Sequence, residues 1–413
     1  MTVSLHEKND RERRLSLGQF FTRDPEIKFM LSLIANDGNI LEPSCGDGAF
    51  LRHLTGDVTA VELDDSVAPS AAIVMDFFDY EVSNKFSTII GNPPYVANSK
   101  ILPSTREKLQ NFSTWSGKTN LYTVFVEKCL KHLKENGELI FIIPSIFLKA
   151  TSCKNLNKEM FKTGTITHLV LYGDVSPFGS DASPEHETCI FRFEKNKFDR
   201  STKIFNFDKK DKEIKLKHCK KYFVDDNGIS FFLDSSSDLK KLKKIEDYFE
   251  VKVGAVSGWD EFFVDKERGN KEYVYSKTRK SGKTRMMIDE IKPTEWLLSS
   301  KKQLMQRKIK KEWSENDWWK WGRPQPKAKG KRVYVNTKTR IDKPFFCHKC
   351  ENYDGSVLAI FPKDQEMIPE KVALMFNNVD WSVYSLKVGN RYIFKPKVLE
   401  GCHLTEEQIN QCY

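Results

Sequence analysis

The chain has 413 residues, long enough for two domains, and carries a net charge of +10 from 67 Lys and Arg against 57 Asp and Glu. No apolar run reaches the roughly 18 residues of a membrane span, and the polar opening Met1-Thr2-Val3-Ser4-Leu5-His6-Glu7-Lys8 does not read as a signal peptide. The 9 cysteines follow no disulfide framework, so reduced thiols in a cytoplasm are expected, and the basic surplus favours a polyanionic partner.

The first readable element is a helix over 24–36. It opens at Asp24-Pro25, an acid and a proline where a helix start favours them. Residues 39–48, Asn-Ile-Leu-Glu-Pro-Ser-Cys-Gly-Asp-Gly, run a short apolar strand into a glycine-bearing turn, and Ala49-Phe50-Leu51 reads as the start of a helix. Glycines in such a turn let backbone approach a ligand closely, although the spacing is not that of a dinucleotide fingerprint. A second strand, Val58-Thr59-Ala60-Val61, ends at Glu62. A carboxylate about 20 residues after the glycine turn is where an α/β nucleotide site binds ribose hydroxyls. A third apolar run, 71–75, ends at Asp76-Phe77, an acceptor for an amine and a ring for a base face.

The fourth strand, Phe86-Ser87-Thr88-Ile89-Ile90, leads into Gly91-Asn92-Pro93-Pro94-Tyr95. Asn92 thus stands at the carboxyl end of a strand, where open α/β sheets place their chemistry. Two prolines stiffen the turn. An Asn carboxamide beside a rigid carbonyl offers two acceptors to an exocyclic amine, and Tyr95 offers a ring for stacking. Residues 96–118 read as a polar loop. A helix follows over 119–135, ending at Asn136-Gly137, then a strand over 138–143 and two more at 169–172 and 188–193. Strands alternating with helices call for a mostly parallel sheet.

Glu42-Pro43-Ser44-Cys45-Gly46-Asp47-Gly48, Glu62, Asp76-Phe77 and Asn92-Pro93-Pro94-Tyr95 together resemble the S-adenosylmethionine-dependent DNA adenine-N6 methyltransferases. Gly18-Gln19-Phe20-Phe21-Thr22 looks like that family's N-terminal cofactor motif, and Thr119-Asn120-Leu121-Tyr122 like its Asn-Leu-Tyr segment. The motif order resembles the gamma class, TaqI-like, of restriction-modification systems. The resemblance implies a Rossmann-like class I domain of seven strands, mostly parallel, with one antiparallel strand near the edge. It assigns cofactor contacts to Thr22, Glu42, Cys45, Gly46, Gly48, Glu62, Leu63, Asp76, Phe77, Asn92 and Pro94. Catalysis falls to Asn92, Pro93, Tyr95 and Phe178, the last either stacking on the target base or tucked under the sheet. It further implies a monomer in a bacterial or archaeal cytoplasm, double-stranded DNA as partner, and a cognate restriction endonuclease on a separate chain. An RNA adenine methyltransferase, a protein glutamine methyltransferase and a non-catalytic DNA-binding protein on the same fold are the alternatives.

Residues 195–245 read as a charged bridge, with the domain boundary near 235. That gives a cofactor-binding catalytic domain, 1–235, and a mixed α+β target-recognition domain, 236–413. Within the latter, residues 301–343 hold 15 Lys and Arg against 4 Asp and Glu, a surplus larger than that of the whole chain. Trp313, Trp318, Trp319 and Trp321 interleave with these cations. Cations neutralise phosphates while rings and arginine planes pack on sugars and bases, so Lys308, Lys310, Lys311 and Arg323 are the expected DNA contacts. The opposing reading makes the tryptophans a core and the lysines a solvated face. Cys347-His348-Lys349-Cys350 has the look of half a zinc site, completed only by the distant Cys402-His403; a strand without metal is the expectation there.

Overall fold

The computed structural model describes residues 13, 17–172, 177–178, 188–208, 211, 213–235, 241–290, 292–309, 312–384, 386–388 and 391–413. The chain divides into two compact units, Met1–Leu239 with Ser382–Gly389, and Lys240–Trp381 with Asn390–Tyr413. The return of 382–389 to the first unit is invisible in the sequence. Within that unit the Phe232 amide donates to the Val383 carbonyl, and the Phe231 ring lies 5.7 Å from that of Tyr384.

The first unit is built on strands β1 (Ile40–Glu42), β2 (Val58–Glu62), β3 (Ile73–Val74), β4 (Phe86–Gly91), β5 (Leu133–Pro144), β6 (Gly164–Leu171), β7 (Thr188–Lys195), β8 (Ser201–Asp208), β9 (Glu213–Val224) and β10 (Ser230–Leu233). They form one sheet in the order β10-β9-β8-β6-β7-β5-β4-β1-β2-β3. β3, β2, β1, β4 and β5 are parallel, and β7 runs antiparallel between β5 and β6. The expected seven-stranded Rossmann-like arrangement is therefore present as β3 through β6.

Two details differ from the sequence reading. The sheet continues past β6 into β8, β9 and β10, so the antiparallel β7 lies inside the sheet, and residues 201–233 are strands rather than a charged bridge. The first half of β9, Glu213–Cys219, is exposed on both faces, so lysines erase the alternation that marks a half-buried strand. Only its end, with Tyr222 and Phe223, buries a face.

The helices are α1 (Asp24–Ser32), α2 (Pro103–Lys108), α3 (Leu121–His132) and α4 (Lys154–Thr163). Helix α1 stops short of residue 36 because the Ala35 and Asn36 amides donate to the buried carboxylate of Glu138, each at 3.0 Å, instead of continuing the helical ladder. Glu138 also pairs with Arg192 at 2.6 Å, joining β5 to β7. Helix α3 begins at its Asn120 cap, whose side chain accepts the Tyr122 amide, and turns at Leu133 directly into β5. Residues 46–53 form turns rather than the expected helix: the Arg52–Gly48 and Leu54–Phe50 backbone bonds are helical in spacing, while His53–Phe50 and Leu54–Leu51 are the shorter bonds of turns. The supposed loop 96–118 contains α2 and short 3₁₀ turns at Asn98–Lys100 and Leu109–Asn111. Its polar side chains hid this order, because Val96, Ile101, Leu109, Leu121 and Val124 form a small core beneath it.

The second unit is mixed α+β. Phe249–Val253, Val357–Pro362 and Val333–Asn336 make a three-stranded antiparallel sheet, and Lys271–Tyr273 pairs with Arg285–Met287. The helix Pro369–Asn378 buries Val372, Ala373, Met375 and Phe376. Among the described residues, no helix is long and apolar enough to cross a membrane.

Candidate cofactor cleft and active site

Four turns leave the carboxyl ends of parallel strands side by side: 43–48 after β1, 63–64 after β2, 75–78 after β3 and 92–95 after β4. Together with the segment 17–22 they line one cleft of about 1050 Å³, open to solvent. Thr22, Glu42, Cys45, Gly46, Glu62, Leu63, Asp76, Phe77, Asn92 and Pro94 all contribute to its wall. Pro93 is buried behind it. Gly48 lies next to the wall in the left-handed region (φ 80°), where a Cβ would meet Pro69 at 2.8 Å. Gly46 is also left-handed (φ 54°), a conformation that favours glycine over residues with a Cβ.

The carboxylates differ in their spare capacity. Glu62 accepts the Gly46 amide at 2.7 Å on one oxygen and the Asp64 amide at 2.9 Å on the other. It thereby shapes the glycine turn and keeps one acceptor site per oxygen. Asp76 accepts the Phe78 amide on Oδ1, and Thr105 and Lys108 on Oδ2, leaving one site on Oδ1. Glu42 is 1% exposed, and its Oε2 has no hydrogen-bond partner among the described residues. Burial, then Glu62 and Asp47 nearby, push its carboxyl well above the usual range. Burial, then Glu42 and Glu62, push the Cys45 thiol up to about 12. Phe77, expected to offer a ring to a base face, lines the cleft with little of that ring exposed. That ring is 3% exposed and packs in the core, 4.7 Å from Phe125, because the chain turns inward at the Asp76 cap.

At Asn92 the carboxamide nitrogen donates to the Phe20 carbonyl at 2.6 Å and to the Thr22 hydroxyl at 3.2 Å. A carbonyl can only accept, so the amide orientation is fixed by the first bond. Oδ1 is left buried without a partner among the described residues. Tyr95 is half-buried. Its hydroxyl donates to the Ile142 carbonyl at 2.7 Å, and its ring lies 5.3 Å from Phe20 and 5.9 Å from Phe178. Phe178 is 7% exposed and also lies 5.6 Å from Phe20. The structure thus places Phe178 buried beside the Tyr95 ring.

Sequence reasoning missed the part played by Phe20, which contributes a carbonyl to Asn92 and a ring to both aromatics. A backbone acceptor leaves no mark in a sequence. Lys128 was missed too. It is 2% exposed, donates to the Phe77 carbonyl at 2.5 Å, and its ammonium sits 4.8 Å over the Phe77 ring. Burial pulls its pKa down to about 8.

The expected DNA contacts belong to the second unit. Lys308 is exposed, whereas Lys310 and Lys311 lie outside the described residues. Arg323 is exposed, with Nε donating to the Gly254 carbonyl at 3.0 Å, and its backbone pairs with Val256. Trp318 and Trp321 are 2% and 8% exposed and belong to a core with Phe263, Tyr273 and Leu304. Two of the four tryptophans are therefore structural.

The geometry suits the methyl donor that the motifs imply: buried acceptors on Gln19, Glu42 and Asn92 have no partner among the described residues, and all three residues line a cleft walled by a glycine turn and strand-end carboxylates. Residues 57–178 match the Eco57I restriction-modification methylase family. The chain is 30% identical over 292 residues to the type II methyltransferase M.HincII of Haemophilus influenzae, covering 65% of this chain and 56% of that protein. It is 34% identical over 182 residues to the type II methyltransferase M.TthHB8I of Thermus thermophilus, covering 39% and 42%. The chain thus spans about half the length of the curated relatives it matches. Among solved structures, the type IIL restriction-modification enzyme MmeI in complex with DNA aligns over 95% of this chain and 64% of its own, with a TM-score of 0.62 at 12% identity, a likeness of fold. The segment that carries the Asn-Pro-Pro-Tyr turn is thus similar to the Eco57I restriction-modification methylases, and it lies in a Rossmann-like sheet.

Proposed function

We propose that this chain is a site-specific DNA methyltransferase that moves a methyl group from S-adenosylmethionine to N6 of an adenine flipped out of duplex DNA. It would act in a bacterial or archaeal cytoplasm as the modification half of a type II restriction-modification system, beside a cognate endonuclease. The observation that carries this reading is Asn92, whose NH2 end is tied down while Oδ1 is buried with no partner among the described residues. An exocyclic amine is the donor that such an acceptor suits. The names of the relatives, type II methyltransferases, and the match to a restriction-modification methylase family support the methyl transfer.

The bound donor supplies an electrophilic methyl on a sulfonium, already a good leaving group. The chain therefore mainly positions the reactants. Asn92 Oδ1 and the Pro93 carbonyl would accept the two amine protons, favour a tetrahedral nitrogen and stabilise its developing positive charge. Tyr95 and Phe178 would offset the stacking lost on flipping. Glu62 would bind ribose hydroxyls with its remaining acceptor sites, and Asp76 the adenine amine of the donor with its one. The test of the whole reading is plasmid DNA incubated with the purified protein and S-adenosylmethionine, then sequenced by a method that detects modified bases. N6-methyladenine in one sequence motif is the expected result; unmodified plasmid overturns it.

Glu62→Ala and Asp76→Ala are each expected to weaken S-adenosylmethionine binding by about 1–3 kcal/mol, since each leaves buried donors unpaired. Calorimetry reads this directly, and unchanged affinity in both would move the cofactor elsewhere. Neutralising Lys308, Lys310 and Lys311 to Gln should weaken cognate and random duplexes alike and flatten the salt dependence of binding, as loss of phosphate contacts does. A triple variant with the wild-type salt slope would remove this segment from the DNA surface.

A further inference from the structure

We propose that Thr22 is a positioning residue for methyl transfer: its hydroxyl fixes the carboxamide of Asn92 so that Oδ1 faces the substrate amine. The inference deepens the adenine-N6 reading and rests on it. The two protons of the Asn92 Nδ2 have two acceptors, the Phe20 carbonyl and the Thr22 Oγ1. With both engaged, the carboxamide plane is set, and Oδ1 remains buried with no partner among the described residues. With only the Phe20 carbonyl, one bond would hold the nitrogen while the plane turned about the terminal torsion, which is soft for Asn.

The scaffold behind this contact is itself constrained. Gly18 is left-handed (φ +69°), and a Cβ there would lie 2.7 Å from the Tyr95 nitrogen, so the segment 18–22 lies tight against the Asn-Pro-Pro-Tyr turn. The Tyr95 amide donates to the Gly18 carbonyl at 3.2 Å, and the Phe20 ring packs on Tyr95. Thr22 is 9% exposed and lines the cleft wall together with Asn92, to which its hydroxyl is bonded. Because Oγ1 accepts from Asn92, the single hydroxyl proton is left to donate elsewhere, and an acceptor bound in the cleft would take it. Thr22 would then link cofactor occupancy to the orientation of the substrate acceptor.

The experiment compares the wild type with Thr22→Val, which keeps the side-chain shape and removes the hydroxyl, and Thr22→Ser, which keeps the hydroxyl. The substrate is a duplex bearing the motif that the wild type methylates. Single-turnover rates are measured at saturating S-adenosylmethionine, with cofactor affinity measured separately by calorimetry. Thr22→Val is expected to lose about tenfold in rate, the scale of one hydrogen bond, and Thr22→Ser to stay within about threefold of wild type. The loss should persist when the cofactor concentration is raised further. If it vanishes at saturation, Thr22 acts only on cofactor affinity and the proposal fails. It fails equally if Thr22→Ser is as slow as Thr22→Val. Should Thr22→Val not fold, judged by its thermal midpoint, Thr22→Ala takes its place under the same criteria. A wild type that binds S-adenosylmethionine yet methylates no DNA would overturn the adenine-N6 reading itself, a separate outcome from a Thr22→Val variant as fast as wild type.

Discussion

Asn92→Ala is expected to slow methyl transfer by about 10²–10³-fold, the effect of removing one preorganised polar group that acts in the transition state. The Asn92 carboxamide is held by Phe20 and Thr22, so little of its orienting cost falls on the reaction itself. The variant should still bind S-adenosylmethionine, because the glycine turn is held by Glu62, and the Ser44 hydroxyl donates to the Asn92 backbone carbonyl, which alanine keeps. Steady-state and single-turnover kinetics on a methylatable duplex, with calorimetry for the cofactor, measure both halves. Wild-type turnover in Asn92→Ala would remove the mechanism.

Arg307→Ala is expected to destabilise the second unit by about 3–5 kcal/mol, among the larger effects of a single substitution. Arg307 is 6% exposed and is a hub rather than a surface cation. Its guanidinium donates to the carbonyls of Leu304, Ser257, Trp318 and Lys320, and it stacks on Trp313 with 4.0 Å to the ring centre. Burial pulls its pKa down to about 10, so it stays charged at neutral pH. Removing it leaves four carbonyls without their donor and a gap beside the ring. Arg307→Lys should recover only part of the loss, since an ammonium cannot reproduce the planar fork. Thermal denaturation checks this. A wild-type midpoint in Arg307→Ala would remove Arg307 from the core of the second unit.

The two variants separate the roles of the halves. Asn92→Ala should bind DNA and cofactor but turn over slowly. Arg307→Ala should keep cofactor affinity while losing affinity for DNA, because the unit that carries Lys308 and Arg323 is loosened. The basic surplus of residues 301–343 is therefore not uniform in function: Arg307 is spent on the fold, and Lys301 pairs with Glu315, while Lys308 stands exposed.

The sequence by itself determined the strand ends and the chemistry placed on them. Glycines, Glu42, Glu62, Asp76 and Asn92 stand next to short apolar runs, and a parallel sheet sends all such turns to one edge, so local pattern was enough to assemble the cleft. The charged stretch 195–245 set the expected boundary near 235, but most of that stretch is sheet of the first unit. Tertiary structure alone decided what each polar group has left to offer. Asp76 is mostly consumed by Thr105 and Lys108, Phe77 is turned into the core, and the Asn92 amide is held by a backbone carbonyl 72 residues away. Backbone acceptors and long-range ion pairs have no residue-type signature, so no pattern could announce them. The strands β8 to β10 escaped for a related reason: they add to an existing sheet edge by backbone hydrogen bonds, with little apolar burial along the first half of β9 to impose alternation. The segment 382–389 belongs to the first unit because its backbone meets Phe232, a pairing between positions about 150 residues apart that only the folded chain brings together.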